Sequence, residues 1–130
     1  MTYCADTDFL IDLKDQNRKA IAKVEELESQ GEMLSTTAIN VAEFYFGVYR
    51  SNGKESALAE ANKLFEPFSI LDLNFESARL YGELAGNLKS NMVAPLDLLI
   101  ASIALSNKQR LLTRNKKHFE RVPGLHVEGW

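Results

Sequence analysis

The sequence predicts an α/β fold in which a parallel sheet is covered by helices on both faces. Two observations lead there. Short apolar runs of strand length alternate with longer segments of helical periodicity. No repeat, low-complexity tract or linker breaks the 130 residues, a length that suits one domain over 1–130 with a real core. At 45% hydrophobic and 25% charged, the composition is that of an ordinary globular protein.

The elements follow in order. Tyr3-Cys4-Ala5 reads as the first strand, followed by a short turn over Phe9 to Leu13. From Arg18 to Gln30, Ile21, Val24 and Leu27 recur at the spacing of one helix face, and Gly31 ends the helix. Met33 to Thr36 is the second strand. Thr36 or Thr37 can cap a helix running to about Arg50, before the break Ser51-Asn52-Gly53. A helix over about 54–65 stops before Pro67, and Phe68 to Leu71 gives the third strand. Glu76 to Lys89 is helical, with Ala78, Tyr81, Leu84, Ala85 and Leu88 on one side. Pro95 suits the first turn of a helix to about Ser106. Leu111-Leu112-Thr113, a short helix over 115–121, and Leu125 to Val127 complete the pattern.

Several function classes recede at once. The lone cysteine, Cys4, cannot close an intrachain disulfide, so a reducing compartment is expected. Asp6 and Asp8 interrupt the region where a signal peptide would run. The longest apolar segment, LDLLIASIAL at 96–105, contains Asp97 and is too short for a bilayer. A cytoplasmic protein with no membrane partner is the expectation. The net charge of −3 speaks mildly against a nucleic-acid binder. Its distribution speaks the other way: Lys108, Arg110, Arg114, Lys116, Lys117 and Arg121 put six cations in fourteen residues, opposed only by Glu120. Glu25, Glu26, Glu28 and Glu32 gather negative charge elsewhere. Salt screens fields beyond about 8–10 Å, so this patch can hold phosphate or can be a solvated helix face.

Four polar positions stand in apolar surroundings. Asp6 and Asp8, in CADTDFL, follow the first strand. Thr7 or Asp8 can cap the next turn, which explains one carboxylate better than two. Glu43 lies in VAEFYFGV, where a helix apolar nearly all round reads as buried and its glutamate as needing a cation or a proton. Asp97 follows Pro95, where a first-turn carboxylate gains about 0.3–1 kcal/mol from the helix dipole. Asn115, after the LLT strand, suits an N-cap or a neutral partner that orients a metal's surroundings. In an open parallel sheet, ligands bind beyond the carboxyl ends of the strands, and all three acids can reach that edge. Brought together they repel unless a cation is present, and hard oxygen donors select Mg²⁺ or Mn²⁺. His118 and His126 read as surface and strand residues rather than ligands.

DTDFLIDL, AEFYFGV, PLDLLIASIAL and LLTRNKKHFERVPGLHVEGW together resemble the PIN-domain family, and more narrowly the VapC-type toxin ribonucleases of toxin–antitoxin pairs. The resemblance runs nearly end to end, with little signal over about 52–74. It implies a three-layer α/β/α sandwich with a central parallel sheet of four to five strands, and a Mg²⁺-dependent endoribonuclease in which Mn²⁺ can substitute. By position, Asp6, Glu43 and Asp97 match the family's three acids and would hold the metal. Asn115 joins them as a catalytic residue, standing where many members carry a fourth acid, which leaves a second metal position open. Thr7 matches the small hydroxyl residue after the first acid, and Asp8 and Thr113 support. Asp8 replaces the usual Asn or Ser, and reads as a cap or a partner of the ligands. Ala94 stands where glycine is common. Arg110, Arg114, Lys116, Lys117 and Arg121 would take RNA phosphates. The implied partners are RNA, a cognate VapB-type antitoxin, a second copy of the chain and a larger toxin–antitoxin complex. Phe44, Tyr45, Phe46 and Tyr49 exceed what one buried helix face needs, so part of that helix is expected to meet the antitoxin or the dimer mate.

Two alternatives remain at this level. A haloacid-dehalogenase-type phosphatase would use Asp6 as nucleophile and Asp8 as acid/base. A degenerate module would only bind RNA or protein.

Overall fold

The computed structural model describes residues 2–88 and 93–130. Its strands are β1 (Thr2–Ala5), β2 (Met33–Thr37), β3 (Ser69–Leu71), β4 (Arg110–Leu112) and β5 (Val127–Glu128). They form one five-stranded sheet in the order β3-β2-β1-β4-β5, every pairing parallel. The helices are α1 (Thr7–Lys14), α2 (Arg18–Ser29), α3 (Ala38–Tyr49), α4 (Lys54–Phe65), α5 (Phe75–Leu88), α6 (Pro95–Ser106) and α7 (Lys116–Phe119).

The three layers follow from strand alternation. Tyr3 and Ala5 of β1 and Leu112 of β4 join a core with Phe9, Leu10, Ala20, Leu27, Phe44, Val48 and Ala61, from α1 to α4. Cys4 and Leu111, pointing the other way, join Leu84, Leu98, Ile100, Ala101, Ala104 and Phe119, from α5 to α7. Parallel strands buried on both sides need such continuous apolar runs. The chain winds outward from β1 to β3, then crosses to β4 on the other side of β1. The strand order therefore reverses between β1 and β4, where Asp6 N–H continues the ladder to Leu112 O at 2.9 Å. That crevice is where an open parallel sheet binds its ligand.

Local signals place the element ends. Thr37 caps α3 with a reciprocal box, Asn40 completing it. Gly31 has φ +74 beyond α2, and Gly53 has φ +68 at the start of α4, conformations that suit glycine. Pro95 opens α6. Three elements differ most from the sequence reading, others by a single residue at an end. The segment read as a short turn over Phe9 to Leu13 is an eight-residue helix, because Asp6 caps it. The last helix is shorter than 115–121, and β5 lies one to two residues later than read. The expected helix end at Lys89 lies outside the described residues. Among the described residues, no helix is long and apolar enough to cross a membrane.

Candidate active site

Asp6 is the hinge between β1 and α1. Its backbone is still extended, and its Oδ1 accepts the Thr7 N–H at 2.9 Å, so Asp6 rather than Thr7 or Asp8 is the N-cap. Oδ1 also accepts Asn40 Nδ2 at 3.0 Å, and Oδ2 accepts the Thr113 hydroxyl at 2.8 Å. The residue is 8% exposed. Burial pushes its pKa up to about 6, against the Thr113 hydroxyl, which lowers it; the charge of Asp8 raises it, the Thr7 N–H lowers it, and Asp97 raises it further. A carboxylate is thus held in place by three donors while its burial and two neighbouring acids oppose its charge.

The other members gather around it. Thr7 Oγ1 donates to Glu43 Oε1 at 2.7 Å and accepts Asn40 Nδ2 at 3.0 Å, which ties α1 to α3. Asp8, in the first turn of α1, accepts the Arg114 N–H on Oδ2 at 2.9 Å and the Thr113 hydroxyl at 3.4 Å. Its pKa is also raised, first by burial, with the Arg114 N–H acting against this. Its Oδ1 is buried without a hydrogen-bond partner. Asp97, in the first turn of α6, is half-buried, and its Oδ2 lies 3.1 Å from His118 Nε2.

This arrangement corrects several expectations. Glu43 is half-buried rather than enclosed, because α3 is open on one side: Phe46 is 64% and Tyr49 59% exposed. Phe44 and Tyr45 belong to the core side, where Tyr45 stacks on Phe65 with centroids 5.7 Å apart. Asn115 occupies the N-cap position of α7 but makes no side-chain cap bond; it is exposed, and its backbone N–H donates to Thr113 Oγ1 at 3.0 Å. The basic residues do not act as one patch. Arg110 opens β4, about 10 Å along the strand from Thr113, and pairs with Glu128 at 3.7 Å. Arg114 turns its guanidinium to Asp12 and lies 5.3 Å from the centre of the Trp130 ring. Lys116, Lys117 and Arg121 are exposed.

Two positions escaped the sequence reading. Asn40 is fully buried and fastens both Asp6 and Thr7; the spacing Thr37-x-x-Asn40 signals a cap but not this second task. His118, read as a surface residue, is half-buried against Asp97. Nothing local announces that contact across 21 positions.

The donors suit a hard cation: they are carboxylate oxygens, one of them a buried orphan, around a carboxylate whose charge is unfavourable without a counter-ion. Among the described residues no three carboxylate, imidazole or thiol groups form a ready-made metal cage. Mg²⁺ keeps several waters when bound, so a complete protein cage is not required of the set.

The model of the PIN domain matches residues 3–125. Ribonuclease VapC2 of Rickettsia felis is 30% identical over 132 aligned positions, covering 100% of this chain and 98% of the relative. The solved structure of VapBC2 from Rickettsia felis, bound to a DNA fragment from its promoter, superposes with a TM-score of 0.92 at 28% identity, covering 100% of this chain and 99% of that one. VapBC-1 from nontypeable Haemophilus influenzae gives 0.88 at 32%, covering 100% and 98%. The chain belongs to the PIN-domain family and, within it, to the VapC-type toxin ribonucleases.

Proposed function

We propose that the chain, acting as one domain over 1–130 in the cytoplasm, is a Mg²⁺-dependent endoribonuclease toxin restrained by a cognate VapB-type antitoxin. The observation that carries this reading is Asp6, oriented by three hydrogen bonds at the strand-order reversal yet poorly placed to hold its charge alone. Asp6, Glu43 and Asp97 would hold the metal. When bound, Mg²⁺ supplies a Lewis acid beside the phosphodiester and lowers the pKa of water.

The chain's own residues prepare that chemistry. Asn40 and Thr113 fix the two oxygens of Asp6, and the Thr7 hydroxyl fixes Glu43. These bonds remove rotational freedom before RNA arrives, which is the purpose of preorganisation. Asp8 holds the Thr113–Arg114 backbone against α1. Lys116, Lys117 and Arg121 are the exposed cations left to take RNA phosphates. Against the phosphatase alternative stands the PIN-domain match over residues 3–125.

Restraint fits the open side of α3. A groove of about 430 Å³ runs from Glu43 past Phe44, Gly47 and Val48 to Ile11 and Lys14 of α1, and Phe46 and Tyr49 stand exposed on the same helix. An antitoxin segment lying there would cover apolar surface and close the approach to Glu43 in one step.

The test is to sequence RNA 5′ ends after brief induction of the wild type and of Asp6→Asn. New, discrete ends in the wild type alone are expected. Identical end profiles in both would sink the proposal.

A further inference from the structure

Each acid of the site except one is held by a neutral group. Asp6 has Asn40 and Thr113, Glu43 has the Thr7 hydroxyl, and Asp8 has the Arg114 N–H. Asp97 instead meets an imidazole, His118 Nε2, 3.1 Å from its Oδ2, with the two side chains only 22% and 28% exposed. We propose that His118 is a positioning residue for the ribonuclease reaction: it engages one oxygen of Asp97 and so leaves the other aimed at the metal. The proposal rests on the reading of Asp97 as a metal ligand.

Three features of the molecule support it. His118 Nε2 is buried and makes no aligned hydrogen bond, and the polar group in reach of it is the Asp97 carboxylate, 3.1 Å away. An imidazole nitrogen can serve a carboxylate at this distance as an N–H donor. The imidazole also stands on a fixed base. Phe119, its neighbour in α7, is fully buried in the core beside Leu98 and Ala101 of α6, and the His118 ring meets it edge-on at 5.7 Å. The short helix α7 is thereby anchored to the same layer as α6, and the His118–Asp97 distance is set by that packing. Asp97 has no other hydrogen bond or ion pair of its side chain among those described, so without His118 its carboxylate would rotate about the first turn of α6. Partners that orient a metal's ligands in this way contribute about 10–100-fold in metal affinity.

The experiment measures Mn²⁺ affinity by titration calorimetry on the full chain, for the wild type, His118→Phe, His118→Gln and Asp97→Asn, with RNA cleavage kinetics alongside. His118→Phe keeps a ring on Phe119 and removes the donor; it should weaken Mn²⁺ by about 10-fold or more and lower kcat while KM for RNA stays put. His118→Gln restores an N–H donor and should return the affinity to within about threefold of wild type. Wild-type Mn²⁺ affinity in His118→Phe overturns the proposal, as does a His118→Gln variant as weak as His118→Phe, which would show that ring shape rather than donation matters. Asp97→Asn separates the two readings. If it binds Mn²⁺ like the wild type, Asp97 is not a ligand and the reading beneath the proposal fails; if it loses Mn²⁺ while His118→Phe does not, only the role of His118 fails.

Discussion

Helices α3 and α6 each carry one acid of the site on an apolar run, AINVAEFYFGVY in the first and PLDLLIASIALS in the second. The fold treats them differently. α6 lies in the second core, with Leu98, Ile100, Ala101, Ser102, Ile103 and Ala104 all buried. α3 buries only Asn40, Phe44 and Val48, and leaves Phe46 and Tyr49 to solvent. Composition therefore states how much apolar surface a helix must hide, and says nothing about whether its own chain does the hiding. In α6 the surface is spent inside and makes a rigid mount for Asp97. In α3 the surplus lies next to Glu43, so a partner covering it would also close the approach to Glu43.

Glu43→Gln on α3 and Asp97→Asn on α6 should each lower kcat for RNA cleavage by about 10²–10³-fold, while Asp8→Asn should cost far less. A reversed order in single-turnover assays would return the phosphatase reading. Truncation inside α6, Ile100→Ala, should cost about 2–5 kcal/mol in urea unfolding, because Ile100 is fully buried.

Between the two helices, Asp6 gives a pH signature. Its folded pKa, about 6, lies above the ordinary carboxylate value, so the folded chain holds this proton more tightly than the unfolded chain. That contribution to stability is complete below about pH 4 and is lost as pH rises through about 6. In metal-free buffer at pH 7, Asp6→Asn should be more stable than the wild type by up to about 3 kcal/mol, with the gap closing near pH 4. A gap that ignores pH would show that the carboxylate is not strained by burial.

The smallest expected change lies on the open side of α3. Phe46→Ala and Tyr49→Asp should leave unfolding free energy within about 0.5 kcal/mol, yet Tyr49→Asp should weaken antitoxin binding by about 2 kcal/mol. Unchanged affinity in pull-down and calorimetry would move the antitoxin off α3.

Most of the fold is legible in the sequence because alternation and punctuation are local. Five strand runs, Gly31, Gly53 and Pro95 suffice to lay out the layers. The α1 helix is not legible, because its N-cap, Asp6, reads as a strand-end carboxylate rather than a cap; the structure gives it both a cap and a place among the acids. The site is legible as a set of carboxylates and illegible in its supports. Arg114 reads as a free cation until Asp12, 102 positions earlier, and Trp130, 16 positions later, are seen to hold it. Asn40 and His118 are invisible for the same reason: each acts on a residue brought near only by the crossovers of the sheet.

The chain contains one tryptophan. Trp130 meets Phe9 edge-on at 4.8 Å, donates its indole N–H to Asp12 at 3.0 Å, and lies beneath the Arg114 guanidinium. Arg114 in turn gives its backbone N–H to Asp8, beside the Thr113 that holds Asp6. The molecule therefore carries its own optical gauge. Emission from a single indole would be quenched or shifted if Arg114 left its face, so the loop beside the acids can be followed without a dye.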